Sequence, residues 1–202
     1  MEINNVTEKA NFYNSLDLTL SEAENIFSSA VDDSKSLFHT PTLSTLENNK
    51  ISSRTVVLRE FEKDKRILRF HTDSRSKKIN QIGEKSISTI HGYDPSLKIQ
   101  IRLTGSSSIH HDNETSKKAW NQSREMSKMC YSVKGAPGEK ISLPDEFDIV
   151  KEETEIEKGY KNFSVIIFEF DYLEFLYLKG SGHRRSSFDW SNGKLDSNWL
   201  IP

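Results

Sequence analysis

The sequence predicts a mainly β protein of the α+β class, with a β-barrel core carrying short helices on its rim. Short segments rich in β-branched and aromatic residues recur along the chain. In one of them, 97–109, Ile99, Ile101 and Leu103 alternate with Gln100, Arg102 and Thr104, the period of a half-buried strand. Helical patterns are few, and no repeat or interior linker divides the 202 residues. A single domain over 1–202 is expected, with 1–15 as a flexible N-terminal arm.

The first helix is expected over 19–33. Leu20, Ala23, Ile26, Phe27, Ala30 and Val31 fall at helical spacing, and Ser21 with Glu24 forms a candidate capping box. Residues 37–47 are β-prone, with Pro41 arguing for an edge or a break. Asn48-Asn49-Lys50 is a turn signal. Strands follow at 54–61 and 67–72, then a short helix at 76–82, then strands at 86–93 and 97–109. Asn113-Glu114-Thr115 opens a second helix, with Ala119, Trp120, Met126 and Met129 in or near it. Gly135-Ala136-Pro137-Gly138 is a loop, and 144–159 is acidic, poor in apolar residues and expected to be exposed. Strands return at 163–170 and 173–179. Gly180-Ser181-Gly182 ends them, and Trp199-Leu200-Ile201 is a candidate edge strand.

Composition narrows the function classes. A formal net charge of −2 gives no global argument for a nucleic-acid partner. The single cysteine, Cys130, excludes an intrachain disulfide, fits a reducing compartment, and reads as a small buried residue rather than a nucleophile. The N-terminus lacks the basic and apolar blocks of a signal peptide, and no apolar run is long enough to span a bilayer. A cytoplasmic protein without membrane or nucleic-acid partners is expected. Metal binding is poorly supported: His110-His111 are adjacent, and neither HExxH nor a cysteine pair is present. GxGxxG, P-loop and GxSxG motifs are absent as well.

The segment 53–82, SRTVVLREFEKDKRILRFHTDSRSKKINQI, is the most informative. Cations and hydroxyls cluster where a strand ends at His71-Thr72 and a helix begins at Ser76-Lys77-Lys78. A helix start favours an anion, Ser76 is a candidate N-cap, and Thr72 adds a hydroxyl. A phosphorylated ligand follows. Arg54 and Arg59 lie five apart, so in an ideal strand they face opposite sides. They serve one ligand only if the strand twists or the ligand wraps around it; taken alone, they read as solvated arginines on an edge strand. Gln100 can offer a donor and an acceptor to a heterocycle, although a polar residue on a wet sheet face is the default. Trp120, Arg124 and Lys128 are spaced by four and are expected on one helix face, as a second anion site or as a core tryptophan edged by solvated charges. His183-Arg184-Arg185 follows a glycine break and suits a carboxylate or phosphate, or is a surface basic cluster.

In this order, the segments resemble the pyridoxamine 5′-phosphate oxidase family of FMN-binding split β-barrels, in the branch with HRR in place of RxH near the C-terminus. The resemblance runs from the first helix to the closing WLIP, similar to the family's W…LxP. It implies FMN as cofactor and a homodimer with FMN between subunits. The family's RxVLLK corresponds to Arg54, Thr55, Val56, Val57, Leu58 and Arg59, with Arg54 at the FMN phosphate. Its Tyr-Thr pair corresponds to His71 and Thr72, and its Ser-Arg-Lys to Ser76, Lys77 and Lys78. Its strand glutamine is Gln100, and its C-terminal aromatic contact is Tyr177, with Arg185 also on the cofactor side. The later Gln-Ser pair falls within Gly135-Ala136-Pro137, where its side chains are lost.

The substrate side departs more. The family's phosphate-binding lysine is Arg59, its Tyr–Arg–Ser trio is Trp120, Arg124 and Lys128, its Arg-Leu-His is His183-Arg184-Arg185, and its later arginine is Ser187. The resemblance thus implies a flavin-dependent oxidase of a phosphorylated small molecule such as a B6 vitamer. Arg59, Arg124 and Lys128 would hold the substrate phosphate, and Arg185 or His183 would orient the reacting group. No protein base is assigned. Two other functions fit the same residues: an NAD(P)H-dependent flavin reductase, or a non-catalytic flavin- or haem-binding split barrel.

Overall fold

The computed structural model describes residues 11–83, 86–145, 148–149 and 155–202. Much of the expected N-terminal arm, and part of the acidic 144–159 stretch, lie outside them.

Helix α1 (Leu16–Ala30) starts earlier than its apolar pattern suggested. Ser15 caps it by accepting from the Leu18 amide, so Ser21 and Glu24 fall inside the helix rather than in a capping box. Its buried face, Thr19, Ala23, Phe27 and Ala30, packs on the barrel core. A 3-10 turn at Leu37–His39 interrupts the β-prone stretch, burying Phe38. The hairpin β1 (Thr42–Glu47) and β2 (Lys50–Thr55) follows. Asn48 (φ 49°) and Asn49 (φ 61°) both adopt the left-handed conformation that a two-residue hairpin turn demands and asparagine tolerates.

The strand expected over 54–61 is two strands. After β2 the chain breaks at Val56-Val57, where the Val56 amide donates to the Pro41 carbonyl (3.0 Å). It resumes as β3 (Leu58–Glu62), which pairs with β4 (Ile67–Asp73). The β3–β4 register jumps from Leu58↔Phe70 to Glu60↔Arg69, leaving Arg59 as the extra residue of a bulge. Then come α2 (Lys78–Ile82), β5 (Ser86–Asp94) and β6 (Ile99–His111). Asn113 caps α3 (Glu114–Gln122) in a capping box with Ser116. A break at Ser123-Arg124 precedes α4 (Glu125–Met129).

The segments expected at 163–170 and 173–179 form one strand, β7 (Phe163–Tyr177). β6 pairs with it along its length, skipping Asp171: Thr104 faces Tyr172 and Gly105 faces Phe170. A Cβ at Gly105 would overlap the Glu169 carbonyl, so only glycine permits this close approach. β8 (Arg184–Asp189) and β9 (Asp196–Leu200) complete the sheet.

The antiparallel order is β2-β1-β5-β6-β7-β4-β3, with β8 and β9 branching from β7. β7 makes the fork. Its first half pairs with β4 and its second half with β8, while β6 runs along its other edge. The main core contains Leu43, Leu58, Leu68, Phe70, Ile90, Leu103, Phe168, Phe175 and Phe188. A smaller cluster of Ala119, Trp120, Phe163 and Val165 sits under α3. No helix among the described residues is long and apolar enough to cross a membrane. Cys130, expected in the interior, is exposed at the end of α4.

Candidate functional site

Arg54, Thr72, Ser76 and Lys78 come together where β2, β4 and α2 meet. Lys78 Nζ donates to Ser76 Oγ (2.7 Å) and Thr72 Oγ1 (3.0 Å). Arg54 donates to Thr45 Oγ1 (2.8 Å) and to Gln81 Oε1 (2.6 Å). Burial, then the nearby Arg54 guanidinium, pushes the Lys78 ammonium below its ordinary pKa; burial does the same to Arg54. Among the described residues, no carboxylate pairs with either cation. Two half-buried cations, one of them depressed by the other and both ringed by hydroxyls, form a site short of negative charge. A phosphate supplies that charge and accepts from both. The residues present therefore fit the phosphate end of FMN.

This geometry corrects one part of the sequence argument. α2 is only five residues long, and Ser76 caps no amide; its hydroxyl is taken by Lys78. The anion preference rests on side chains, not on a helix dipole. Lys77 is exposed beside the group. Thr55 is exposed too, Val57 is half-buried and Val56 is buried at the strand break. Sequence reasoning missed Gln81 and Thr45. Gln81 lies three residues after Lys78, the helical spacing that could have marked it; it binds Arg54, Thr45 and, through Nε2, Glu47 (3.1 Å). The turn before α2 is fixed by Asp73, which accepts from Arg75 Nε and Nη2. Arg75 Nη1 reaches on to the carbonyls of Val133 and Lys134.

Arg59 points away from that cradle, on the opposite face of β3–β4 beside Arg69 and His71. Burial, then Arg69 and Arg59, holds the His71 imidazole down at about 3, so it is neutral at physiological pH. The ring stands edge-on to Phe163 at 4.9 Å. Arg59 Nε, Arg69 Nε and His71 Nε2 are buried without hydrogen-bond partners. Tyr131, its phenol pushed up to about 12 by burial, lies close enough to Arg59 to feel its charge.

Trp120, Arg124 and Lys128 do not share a helix face. Arg124 occupies the break between α3 and α4 with extended backbone (φ −67°, ψ 147°), which destroys the four-residue periodicity. Trp120 is 2% exposed and packs against Tyr131, Tyr160 and Phe163, with its indole N–H donated to Glu157 (3.1 Å). Lys128 Nζ sits over the Trp120 ring at 5.1 Å and near Glu157 at 3.8 Å. Trp120 is a core residue, Lys128 is already compensated, and Arg124 is exposed.

His183, Arg184 and Arg185 border a cleft of about 330 Å³ with Tyr13, Asn14, Trp199 and Leu200. Tyr13 lies outside any sequence motif; its ring stacks on Tyr177 (5.0 Å, interplanar 16°), and Phe12 meets Tyr177 edge-on. The register sets Gln100 against Leu176 and Leu176 against Arg185, so Gln100 and Arg185 flank one residue on one sheet face. Arg54 is on the other face, aligned with Leu43, Ile90 and Leu103 of the core.

Residues 21–111 match the family model described as Pyridoxamine 5′-phosphate oxidase, FMN-binding domain. No curated protein sequence matches the chain. Among solved structures, a pyridoxamine 5′-phosphate oxidase-related FMN-binding protein of Nostoc punctiforme is similar, with a TM-score of 0.67 and 21% identity. That match covers 91% of this chain and 96% of that one. PhzG of Burkholderia lata, solved with tetrahydrophenazine-1-carboxylic acid, has a TM-score of 0.67 at 18% identity, covering 95% and 96%. A Clostridium acetobutylicum protein related to general stress protein 26 has a TM-score of 0.52 at 11% identity, covering 82% and 92%. At these identities the structures speak for the fold, and the family match speaks for the cofactor domain. Residues 21–111 thus match the FMN-binding domain of the pyridoxamine 5′-phosphate oxidase family, and the chain as a whole has the split-barrel fold of the similar FMN-binding structures.

Proposed function

We propose that the protein is an FMN-dependent oxidoreductase, active as a homodimer in the cytoplasm on a small anionic substrate of the B6-phosphate type. The observation that carries this reading is the Arg54–Lys78 pair, two half-buried cations held by hydroxyls and an amide, with no carboxylate paired to either among the described residues. When bound, FMN would supply the two-electron acceptor. The chain's own residues bind and orient. Arg54, Lys78, Thr72 and Ser76 hold the cofactor phosphate. Gln100 offers a donor and an acceptor to the flavin ring. His183, Arg184 and Arg185 hold the substrate anion in the cleft beside it. The described geometry puts no side chain in the role of an obligatory base.

The dimer is supported by sheet parity. Arg54 faces the core side of the sheet, whereas Gln100 and Arg185 face the other. One FMN reaching both Arg54 and Gln100 therefore calls for two chains. The outer face also leaves Ile51 and Ile87 77% and 76% exposed, with Leu46 opposite Ile51, an apolar strip suited to a second copy.

The altered substrate side favours a second reading, a flavin enzyme with a different anionic partner. Trp120 is closed into the core and Arg124 stands apart, so Arg59 loses the trio that would join it at a substrate phosphate. A cationic, aromatic-walled cleft also suits an aromatic carboxylate such as the acid bound in PhzG. Anaerobic mixing of the yellow holoprotein separates these readings. Bleaching by pyridoxamine or pyridoxine 5′-phosphate supports the oxidase. Bleaching by NAD(P)H alone supports a reductase, and no bleaching by any donor marks a non-catalytic flavoprotein.

A further inference from the structure

Glu174 is a buried carboxylate on the face that carries Gln100 and Arg185. Its side chain is 7% exposed. Each oxygen serves a different arginine: Oε1 accepts from Arg102 Nη1 (3.2 Å), and Oε2 from Arg185 Nη2 (2.9 Å). The cross-strand register builds this row, with Arg102 on β6 opposite Glu174 on β7 and Glu174 opposite Ser187 on β8. Burying an ion is costly unless it is paired on both sides, as here. Arg185 is the one member that also lines the cleft. The hydrogen bond and charge of Glu174 raise the already high pKa of Arg185, and its Nε is buried without a partner.

We infer that Glu174, itself held by Arg102, is a positioning residue that fixes the Arg185 guanidinium on the cleft wall, so that its free donors meet an anionic substrate group in one orientation. This rests on the substrate reading above. A free arginine loses several rotors of side-chain entropy when it binds an anion, and a clamped one has lost them already. Lysine at 185 would not replace it, because a single ammonium cannot hold a carboxylate and an incoming anion with a rigid fork.

The test has two arms, both on the full-length, FMN-loaded protein. The first needs no substrate: 15N relaxation of the Arg185 Nε–H. In the wild type this group is as rigid as ordered backbone amides, and Glu174→Gln makes it mobile while the melting profile stays two-state. Unchanged rigidity in Glu174→Gln overturns the inference. The second arm measures the affinity for pyridoxal 5′-phosphate in a double-mutant cycle. Glu174→Gln weakens binding about tenfold in the wild type and has no further effect in Arg185→Ala. An equal loss in both backgrounds assigns Glu174 a structural role and overturns the inference. A wild type that does not bind pyridoxal 5′-phosphate refutes the substrate reading, while the relaxation arm still decides the positioning.

Discussion

Two basic regions of this molecule are built in opposite ways. At the β2–β4–α2 junction, Arg54 and Lys78 face hydroxyls and an amide, with no carboxylate paired to them among the described residues. At the β6–β7–β8 face, Arg102 and Arg185 are tied to one buried glutamate. The first region carries a charge deficit that a ligand must complete. The second is partly neutralised, two arginines on one glutamate leaving a single net positive charge, and has traded raw attraction for fixed geometry. An uncompensated pair suits the tight holding of a resident cofactor; a compensated arginine suits the orientation of a molecule that comes and goes.

Breaking the cradle should give the largest effect on ligand binding. Arg54→Ala or Lys78→Ala removes a charge-assisted contact to the phosphate and is expected to weaken FMN binding by about 10- to 100-fold. Flavin fluorescence titration of the apoprotein reads this directly. Glu174→Gln, by contrast, should leave FMN affinity within about threefold, since it touches only the second region.

Acid titration sharpens the contrast from another side. His71 adjoins Thr72 of the cradle, and its folded pKa of about 3 lies below its ordinary 6.5. As pH falls below 6.5, the unfolded chain takes up a proton that the folded chain refuses. Stability contributed by the neutral ring is thus full above about 6.5 and lost progressively toward about 3, by up to about 1.4 kcal/mol per pH unit. His71→Phe should flatten that part of the pH–stability curve. Denaturant unfolding at pH 7.5, 6 and 5 checks it, and parallel curves for the two proteins would refute it.

Smallest of all should be Arg124→Ala. The residue is exposed in the α3–α4 break, so stability should stay within about 0.5 kcal/mol and FMN affinity should not move. Trp120→Ala, in the same stretch of sequence, should instead cost about 3–5 kcal/mol, because it empties a packed site under α3. That pair of outcomes would show that their four-residue spacing carries no shared role.

The cradle was largely legible in the sequence, because Thr72, Ser76 and Lys78 are close along the chain and their chemistry shows in the residue types. Arg54 joined them only through the resemblance. Periodicity failed where backbone irregularities intervened. The break at Val56-Val57 splits the strand expected over 54–61 into two, although Arg54 and Arg59 still lie on opposite sides as their five-residue spacing implied. The break at Ser123-Arg124 undid a helix face that spacing alone had drawn. Glu174 stayed hidden for another reason: its partners lie 72 and 11 residues away, and only the register of β6, β7 and β8 brings them together. The Asp171 bulge likewise fused two expected strands into one, since β6 spans it.

The central claim is that the Arg54–Lys78 cradle exists for the phosphate of FMN. The most direct measurement compares FMN with riboflavin, which has the same ring and ribityl chain without the phosphate, in titrations of the apoprotein. The cradle predicts FMN binding at least about 100-fold tighter than riboflavin, with the gap collapsing in an Arg54→Ala/Lys78→Ala double variant. Equal affinities for FMN and riboflavin in the wild type would contradict it.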